Sequence, residues 1–281
     1  MKARAAILAL MMCAACAPRM PERLDAPRAS VLPKRIVSLD YCADQFALKL
    51  ADRDQIAALS LDAGLRFSYM RAEAQGLPLV RPSLEDVLAT KPDLAIRFYG
   101  GGPQIVERLA ASDIPVVQMS GAEGFDGVRA NITQMAEAFG HPERGRDLIA
   151  AMDAQLRAAG ENPTNKSALY LSQGGVVAGR GTSVDEMIRA AGLQNFEGRN
   201  GWTTLPLEGL AFSQPDFVIG AFFGEAGKPA AIWSASRHPV AQRLMKNGAS
   251  IQVDGAATAC GGWFVADAVR AMSEAARSAG P

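Results

Sequence analysis

At 281 residues, the chain is long enough for about two domains of ordinary size. With 49% hydrophobic and 21% charged residues it is no intrinsically disordered protein. Lys and Arg total 29 and Asp and Glu total 29, so there is no cationic excess for a nucleic-acid backbone, and two histidines exclude a centre built from three or four imidazoles.

Lys2 and Arg4 precede an apolar run from Ala5 to Ala17, which is too short for a bilayer span and suits an export leader. A cut before Cys16 puts Ala14 and Ala15 at the last two leader positions and makes Cys16 the lipid-bearing first residue of a lipoprotein. Cys13 stands where such leaders usually carry Leu, but the rival cut after Ala17 would place Pro18 next to the scissile bond. Residues 1–15 are therefore read as leader, with Cys16 lipidated in preference to a soluble exported product. Their removal takes away Lys2 and Arg4 and leaves a net charge of −2. Residues 16–33 are read as a tether, because Pro18, Pro21, Pro27 and Pro33 recur there without an apolar period.

From residue 34 onward, short apolar runs alternate with helical patterns. Strands are predicted at Arg35 to Leu39, Ile56 to Ser60, Leu94 to Phe98 and Val116 to Met119, and helices at Ala43 to Ala51, Leu84 to Ala89 and Gln104 to Ala111. A helical stretch from Gly127 to Ala159 follows, with a break at Gly140-His141-Pro142, where proline removes a backbone donor. The alternation resumes with strands at Ala168 to Ser172, Phe217 to Phe222 and Ile251 to Val253, and helices near Val184 to Ala191, Pro239 to Lys246 and Trp263 to Ala276. This rhythm predicts an α/β protein. It has an N-terminal lobe at 34–124, a bridging helical region at 125–160 and a C-terminal lobe at 161–281.

An internal repeat supports two lobes. Residues 82–96 align without gaps onto residues 205–219, with Leu84/Leu207, Glu85/Glu208, Pro92/Pro215, Asp93/Asp216 and Ile96/Ile219 identical. In each copy a short helix is expected to begin near the Glu, where a helix N-terminus favours an anion, and Pro-Asp ends it before a strand.

Four segments, Arg35–Gln45, Ser83–Leu94, Val184–Asn195 and Ala259–Phe264, resemble in order the class III periplasmic substrate-binding proteins of ABC importers for ferric siderophores, haem and cobalamin. The resemblance runs from Lys34 to Ala276. It implies two Rossmann-like lobes, each a parallel sheet flanked by helices, bridged by one long helix, with ligand held between them. It also implies a monomer in the periplasm that delivers its cargo to the membrane subunits of an ABC permease. By resemblance, Glu85 and Glu208 match the carboxylates that dock onto Arg pockets of the two permease subunits.

Open parallel sheets bind ligands beyond the carboxyl ends of their strands. Those positions offer Asp40, Tyr41, Cys42, the Arg66-Phe67-Ser68-Tyr69 segment, Arg81 and Arg97-Phe98-Tyr99 in the first lobe. In the second they offer Gln173, Arg180, Trp202, Phe222-Phe223, Trp233, Arg237 and the turn from Cys260 to Trp263. The ligand-binding set read from these is Tyr41, Cys42, Arg66, Tyr69, Arg81, Arg97, Tyr99, Arg180, Trp202, Phe222, Trp233, Arg237, Cys260 and Trp263. Flat aromatic faces suit a macrocycle or catechol, and guanidinium groups suit its acids. Arg97, on a strand covered on both faces, is expected to point into the cleft or to meet a carboxylate. In the architecture the resemblance implies, Cys42 and Cys260 would border the cleft, and they can be separate packed thiols, the reading ranked first, an inter-lobe bridge, or thiolates at a ligand or metal.

No Gly-x-Ser-x-Gly elbow, Walker loop or Gly-x-Gly-x-x-Gly fingerprint is present, and His141 and His238 both precede Pro, so an enzyme of the α/β-hydrolase type is the disfavoured alternative. The chain is read as having no cofactor and no resident metal. Its ligand is a corrinoid or ferric siderophore complex, with a haem or free metal-ion receptor as the alternative. Tyr41-Cys-Ala-Asp-Gln45 and Ala259-Cys-Gly-Gly262 resemble the cobalamin-type members most.

Overall fold

The computed structural model describes residues 32–121, 123–164, 166–172, 175–222, 238–247 and 249–279. The leader, Cys16 and the tether up to residue 31 lie outside the described residues, as do Gln173, Phe223, Trp233 and Arg237.

The first lobe is a five-stranded parallel sheet of β1 (Ile36–Ser38), β2 (Ile56–Ser60), β3 (Leu79–Val80), β4 (Leu94–Arg97) and β5 (Val116–Gln118), in the order β3-β2-β1-β4-β5. Its strands are buried on both faces, which is why they read as unbroken apolar runs. Alternate side chains serve two different cores. Ile36, Leu59 and Ile96 pack with Phe46 and Leu50 of α1 (Tyr41–Leu50), whereas Val37, Ala58 and Ala95 pack with Val87 of α2 (Leu84–Ala89) and Leu109 of α3 (Ile105–Ala110).

The bridging helical region is interrupted at the predicted Gly140-His141-Pro142 break, giving α4 (Gly124–Phe139) and α5 (Pro142–Gly160). Gly140 takes a left-handed φ of 81° that stops α4, and Pro142 opens the first turn of α5. Helix α4 packs on α1 of the first lobe and on α6 (Ser183–Ala190) of the second, while α5 lies against α4, α6 and the C-terminal α8 (Val265–Ser278). The α1-side core therefore continues through Ile132, Met135 and Phe139 to Met152, Leu156, Ile188 and Met272 without a break between lobes.

The second sheet contains β6 (Ser167–Ser172), β7 (Val176–Ala178), β8 (Gln194–Asn195), β9 (Trp202–Thr204), β10 (Phe217–Phe222) and β11 (Ala249–Asp254). Its order is β11-β10-β6-β7-β9, with β8 also beside β6. Strands β6, β8, β10 and β11 are parallel, but β7 runs antiparallel to both β6 and β9. Only three residues separate β6 from β7, too few for a crossover helix, so the chain must return as a hairpin. Helix α7 (Pro239–Asn247) completes the lobe.

The repeat has a structural content that the identities alone do not reveal. Asp93 accepts the N–H groups of Lys34 (2.8 Å) and Arg35 (2.9 Å) just before β1, and Asp216 accepts the Ser167 N–H and Oγ–H (each 2.7 Å) at the start of β6. The same carboxylate thus fastens two neighbouring parallel strands at their entry in each lobe. Glu208 departs from the expected pattern, since it precedes a 3-10 turn at Gly209–Ala211 and not an α-helix. Pro206 and Gly209 beside it disfavour an α-helix.

Cys42 and Cys260 form a disulfide that joins the lobes, with a Cα separation of 5.1 Å across 218 residues of sequence. The reading of two separate packed thiols is overturned because each cysteine lies where a strand hands over to a helix, and these two handover points meet. Around the bridge, Phe46 meets Trp263 edge to face at 5.7 Å and Tyr69 stacks on Phe264 at 4.5 Å. Lys49 Nζ lies 5.8 Å from the Trp263 ring centre, and the Tyr69 hydroxyl donates to Asp267. Replacing both residues (Cys42→Ser with Cys260→Ser) should lower unfolding stability by roughly 2–5 kcal/mol. Urea titrations with and without a dithiol reductant test this: reductant should bring the wild type toward the variant and leave the variant unchanged. Identical oxidised curves would remove the bridge from the account.

Candidate functional site

Because Cys42 follows β1 and Cys260 follows β11, the carboxyl ends of the two sheets face one another around the bridge, as ligand-binding α/β sheets require. On the first-lobe side the organising group is Asp40. One of its oxygens caps α1 by accepting the Ala43 N–H (3.0 Å), and the other collects the N–H groups of Phe98 (2.7 Å), Tyr99 (2.9 Å) and Gly100 (2.9 Å). The loop after β4 is thereby lashed to the start of α1. Gly100 is obligatory at this crossing, since a Cβ there would sit 2.0 Å from the Leu39 carbonyl oxygen.

The lashing sets aromatic rings in a continuous row. Tyr41 meets Phe67 at 4.7 Å and Tyr99 at 6.2 Å, and Tyr99 meets Phe98 at 6.0 Å, all edge to face. Tyr41, Phe67 and Phe98 are partly buried and Tyr99 is exposed. Burial, then Asp40 and Asp62, push the Tyr41 phenol above its usual range. Burial, then Tyr41 and the carboxylates of Asp40, Asp62 and Asp44, do the same to Tyr99. Both phenols are held protonated, as hydrogen-bonding groups and not as anionic donors.

In the second lobe, Trp202 on the edge strand β9 lies edge to face with Tyr170 of β6 at 6.0 Å, across the small Ala178 of β7. Trp202 is half exposed while Tyr170 is buried. The loop carrying Trp202 is held by the buried Glu197. Its carboxylate accepts from Arg199 Nε (2.8 Å) and Nη2 (2.6 Å), and Arg199 Nη2 also reaches the Thr204 carbonyl at 2.8 Å.

Of the residues picked from the sequence, Tyr41 and Tyr99 come together in the first lobe and Trp202 stands in the second. Cys42, Cys260, Tyr69 and Trp263 are instead corrected to the seam between lobes. There Asp267, despite burial, is held below the usual carboxylate range by Tyr69, Gln155 and Arg270, and Tyr69 is pushed up by burial and then by Asp267. Arg97 neither reaches the cleft nor meets a carboxylate; it is buried and donates to the carbonyls of Gly102 and Tyr99 (3.0 Å each), supporting the glycine loop from below. Arg81 pairs with Asp86 at 2.8 Å beside α2. Arg66 is exposed, and Arg180 is exposed on a turn whose backbone pairs with Arg199 and Gly201. Phe222 ends β10, and Trp233 and Arg237, expected on the second wall, lie outside the described residues.

Glu85 and Glu208 are both exposed, and neither has an ion pair or side-chain hydrogen bond among the described residues, although the acids nearest Glu85 and downstream of Glu208 (Asp86 and Asp216) are fully engaged. A groove of about 350 Å³ opens beside Glu85, and another of about 520 Å³ lies where α4, α5 and α6 meet. No group of three or more His, Cys, Asp or Glu side chains among the described residues could hold a metal ion, and no described helix is long and apolar enough to cross a membrane.

Sequence reasoning missed Tyr170, Glu197 and Asp44. Tyr170 sits in a strand whose pattern reads as plain core, and Glu197 has only its i, i+2 relation to Arg199 as a signal. Asp44 is fully buried in α1, accepting the Ser60 N–H (3.0 Å) and Oγ–H (2.6 Å). Burial pushes its carboxyl up to about 6, against the hydrogen bonds from Ser38 and Ser60 and with help from Asp40.

A profile described as "Periplasmic binding protein" matches residues 36–249. A vitamin B12-binding protein of Pectobacterium carotovorum subsp. carotovorum (strain PC1) is 29% identical over 207 residues, covering 68% of this chain and 72% of that protein. An apo periplasmic heme-binding protein from Roseiflexus sp. RS-1 superposes with a TM-score of 0.66 at 25% identity, over 86% of this chain and 99% of the other. A periplasmic vitamin B12-binding protein of Vibrio cholerae shares the fold with a TM-score of 0.64 at 18% identity, over 88% and 98% of the two chains.

The Asp44 geometry yields a pH test. Since its folded pKa lies above the unfolded value near 4, its stabilising contribution is complete below about pH 4 and is lost as pH rises through about 6. At neutral pH the buried carboxylate costs up to ~3 kcal/mol relative to its protonated form. Wild type should gain melting temperature relative to Asp44→Asn on acidification from pH 7 to pH 4.5; a constant difference would show that Asp44 does not titrate in this window.

Proposed function

Because the chain belongs to the periplasmic binding protein family, we propose that it is the receptor of an ABC importer that holds a cobalamin-type corrinoid between its lobes and delivers it to the permease. The chain is a substrate-binding protein of transport and not an enzyme. The observation that carries the choice of ligand is the row Phe67, Tyr41, Tyr99 and Phe98 with Asp40 and Asp62 around its phenols. Aromatic edges and protonated hydroxyls suit a broad macrocycle edged by amides and methyl groups. A field of carboxylates disfavours ligands that carry their own acids. The vitamin B12-binding relative supports the same reading. A haem or ferric siderophore receptor is the alternative ligand class, favoured by the heme-binding structural relative.

Glu85 and Glu208, one on each lobe and each without an ion pair among the described residues, are proposed as the handles for the permease. Cys16 is proposed to anchor the protein to the membrane through a lipid, with residues 17–33 as a spacer; release of Cys16→Ser protein from the membrane fraction tests this, and wild type found only in the soluble periplasmic fraction would exclude it.

Cyanocobalamin, haemin and a ferric hydroxamate should be titrated against Trp fluorescence. Cyanocobalamin should bind tightest, at micromolar or better, which corresponds to about 8 kcal/mol. Trp202→Ala should weaken it by about 1 to 3 kcal/mol without lowering the melting temperature. Tighter haemin binding would transfer the site to haem, and an unchanged affinity in Trp202→Ala would remove that ring from the site.

A further inference from the structure

We propose that the permease-facing rim is deliberately unequal: the second lobe offers a projecting ring, Phe212, beside Glu208, and the first lobe offers a hollow beside Glu85. This rests on the receptor reading above and specifies the surface its partner must present.

Phe212 is 93% exposed, whereas the next most exposed large hydrophobic residue among those described, Leu32, is 56% exposed. The ring does not hang from a loose loop. Leu205 and Leu210 on either side of Glu208 are buried in the core behind β6 and β10, the Leu210 N–H donates to the Pro206 carbonyl, and the Phe212 N–H donates to that of Gly209. A rigidly presented aromatic loses little conformational freedom on being covered, which is the profile of an interface anchor.

The repeat makes the inequality specific. Leu210 and its counterpart Val87 are both buried, and Glu208 and its counterpart Glu85 are both exposed and without an ion pair among the described residues, so the supporting positions agree. The projecting position differs, Phe212 standing where the first lobe has Ala89. Where the first lobe lacks a ring it has the groove of about 350 Å³, walled by Pro82, Leu84 and Ile105 with Glu85 and Arg108 at its edge. The partner is therefore a surface with a cation opposite each Glu, an apolar hollow for Phe212, and an apolar side chain for the first-lobe groove. A second copy of this chain is the occupant the test must exclude, since seating Phe212 of one copy in the groove of another would bring Glu208 beside Arg108 as well as Glu85.

A benzophenone amino acid placed at position 212 of the full chain, irradiated in host cells, should cross-link to a polytopic subunit of an ABC importer. A cross-link to another copy of the receptor, or none, would overturn the proposal. Purified Phe212→Ala and Gln104→Trp, the latter filling the groove from its exposed edge, should each associate at least tenfold more weakly with host spheroplasts lacking the native chain, with cyanocobalamin affinity unchanged. If Glu208→Ala weakens association and Phe212→Ala does not, the ring is wrong while the carboxylate handles stand. If none of the three changes association, the docking reading itself fails. Should wild type not bind cyanocobalamin while Phe212→Ala still weakens association, the ligand assignment fails and the docking surface survives.

Discussion

The architecture depends on a single apolar core that passes from one lobe to the other. Helices α4 and α5 have buried side chains toward both sheets, and Ile132, Met135, Phe139, Met152 and Leu156 belong to the same packed cluster as Ile36 and Ile96 on one side and Ile219 and Met272 on the other. Such packing is dense and resists small displacements. The two halves are therefore not beads on a flexible string, and the loops between them are set at nearly fixed separation before any ligand arrives. The aromatic seam of Phe46, Trp263, Tyr69 and Phe264 and the Cys42–Cys260 bridge add a second attachment.

Within that frame a few carboxylates do the local positioning. Asp40 joins the α1 start to the loop after β4 and so decides that Tyr41 and Tyr99 stand together. Asp93 and Asp216 fasten the strand entries at the opposite edge of each sheet. Glu197 ties down the loop that carries Trp202. Glu85 and Glu208 contrast with all of these, because nothing in the described fold uses their charge.

The central strands and most helices were legible because strands buried on both faces leave unmistakable apolar runs. Strands β3, β7, β8 and β9 were not, since each has only two or three residues and no apolar run long enough to read. Their consequence was the antiparallel part of the second sheet. At the site, Tyr41, Tyr99 and Trp202 could be picked from their places after strands. Tyr69 and Trp263 were assigned to ligand by the same rule and belong to the seam, because an aromatic loop residue looks the same in sequence whether a ligand or the other lobe covers it. Arg97 was misread for a related reason. Backbone carbonyls can partner a buried guanidinium as well as a carboxylate can, and those of Gly102 and Tyr99 take the two terminal nitrogens of Arg97 while its buried Nε has no hydrogen bond among the described residues.

The bridge also bears on how the protein matures. If the proposed leader exports the chain unfolded, Cys42 emerges long before Cys260, since 218 residues separate them, and its correct partner does not exist outside the membrane until nearly the whole chain has crossed. A thiol kept waiting in an oxidising compartment is exposed to mispairing. The sequence holds four cysteines, two of them Cys13 and Cys16 at the leader boundary. With the leader removed and the Cys16 sulfur carrying the proposed lipid, the waiting thiol has one intramolecular mate and no decoy, so disulfide isomerisation becomes unnecessary. Lipid attachment at the first residue would then protect the oxidative folding of the last quarter of the chain.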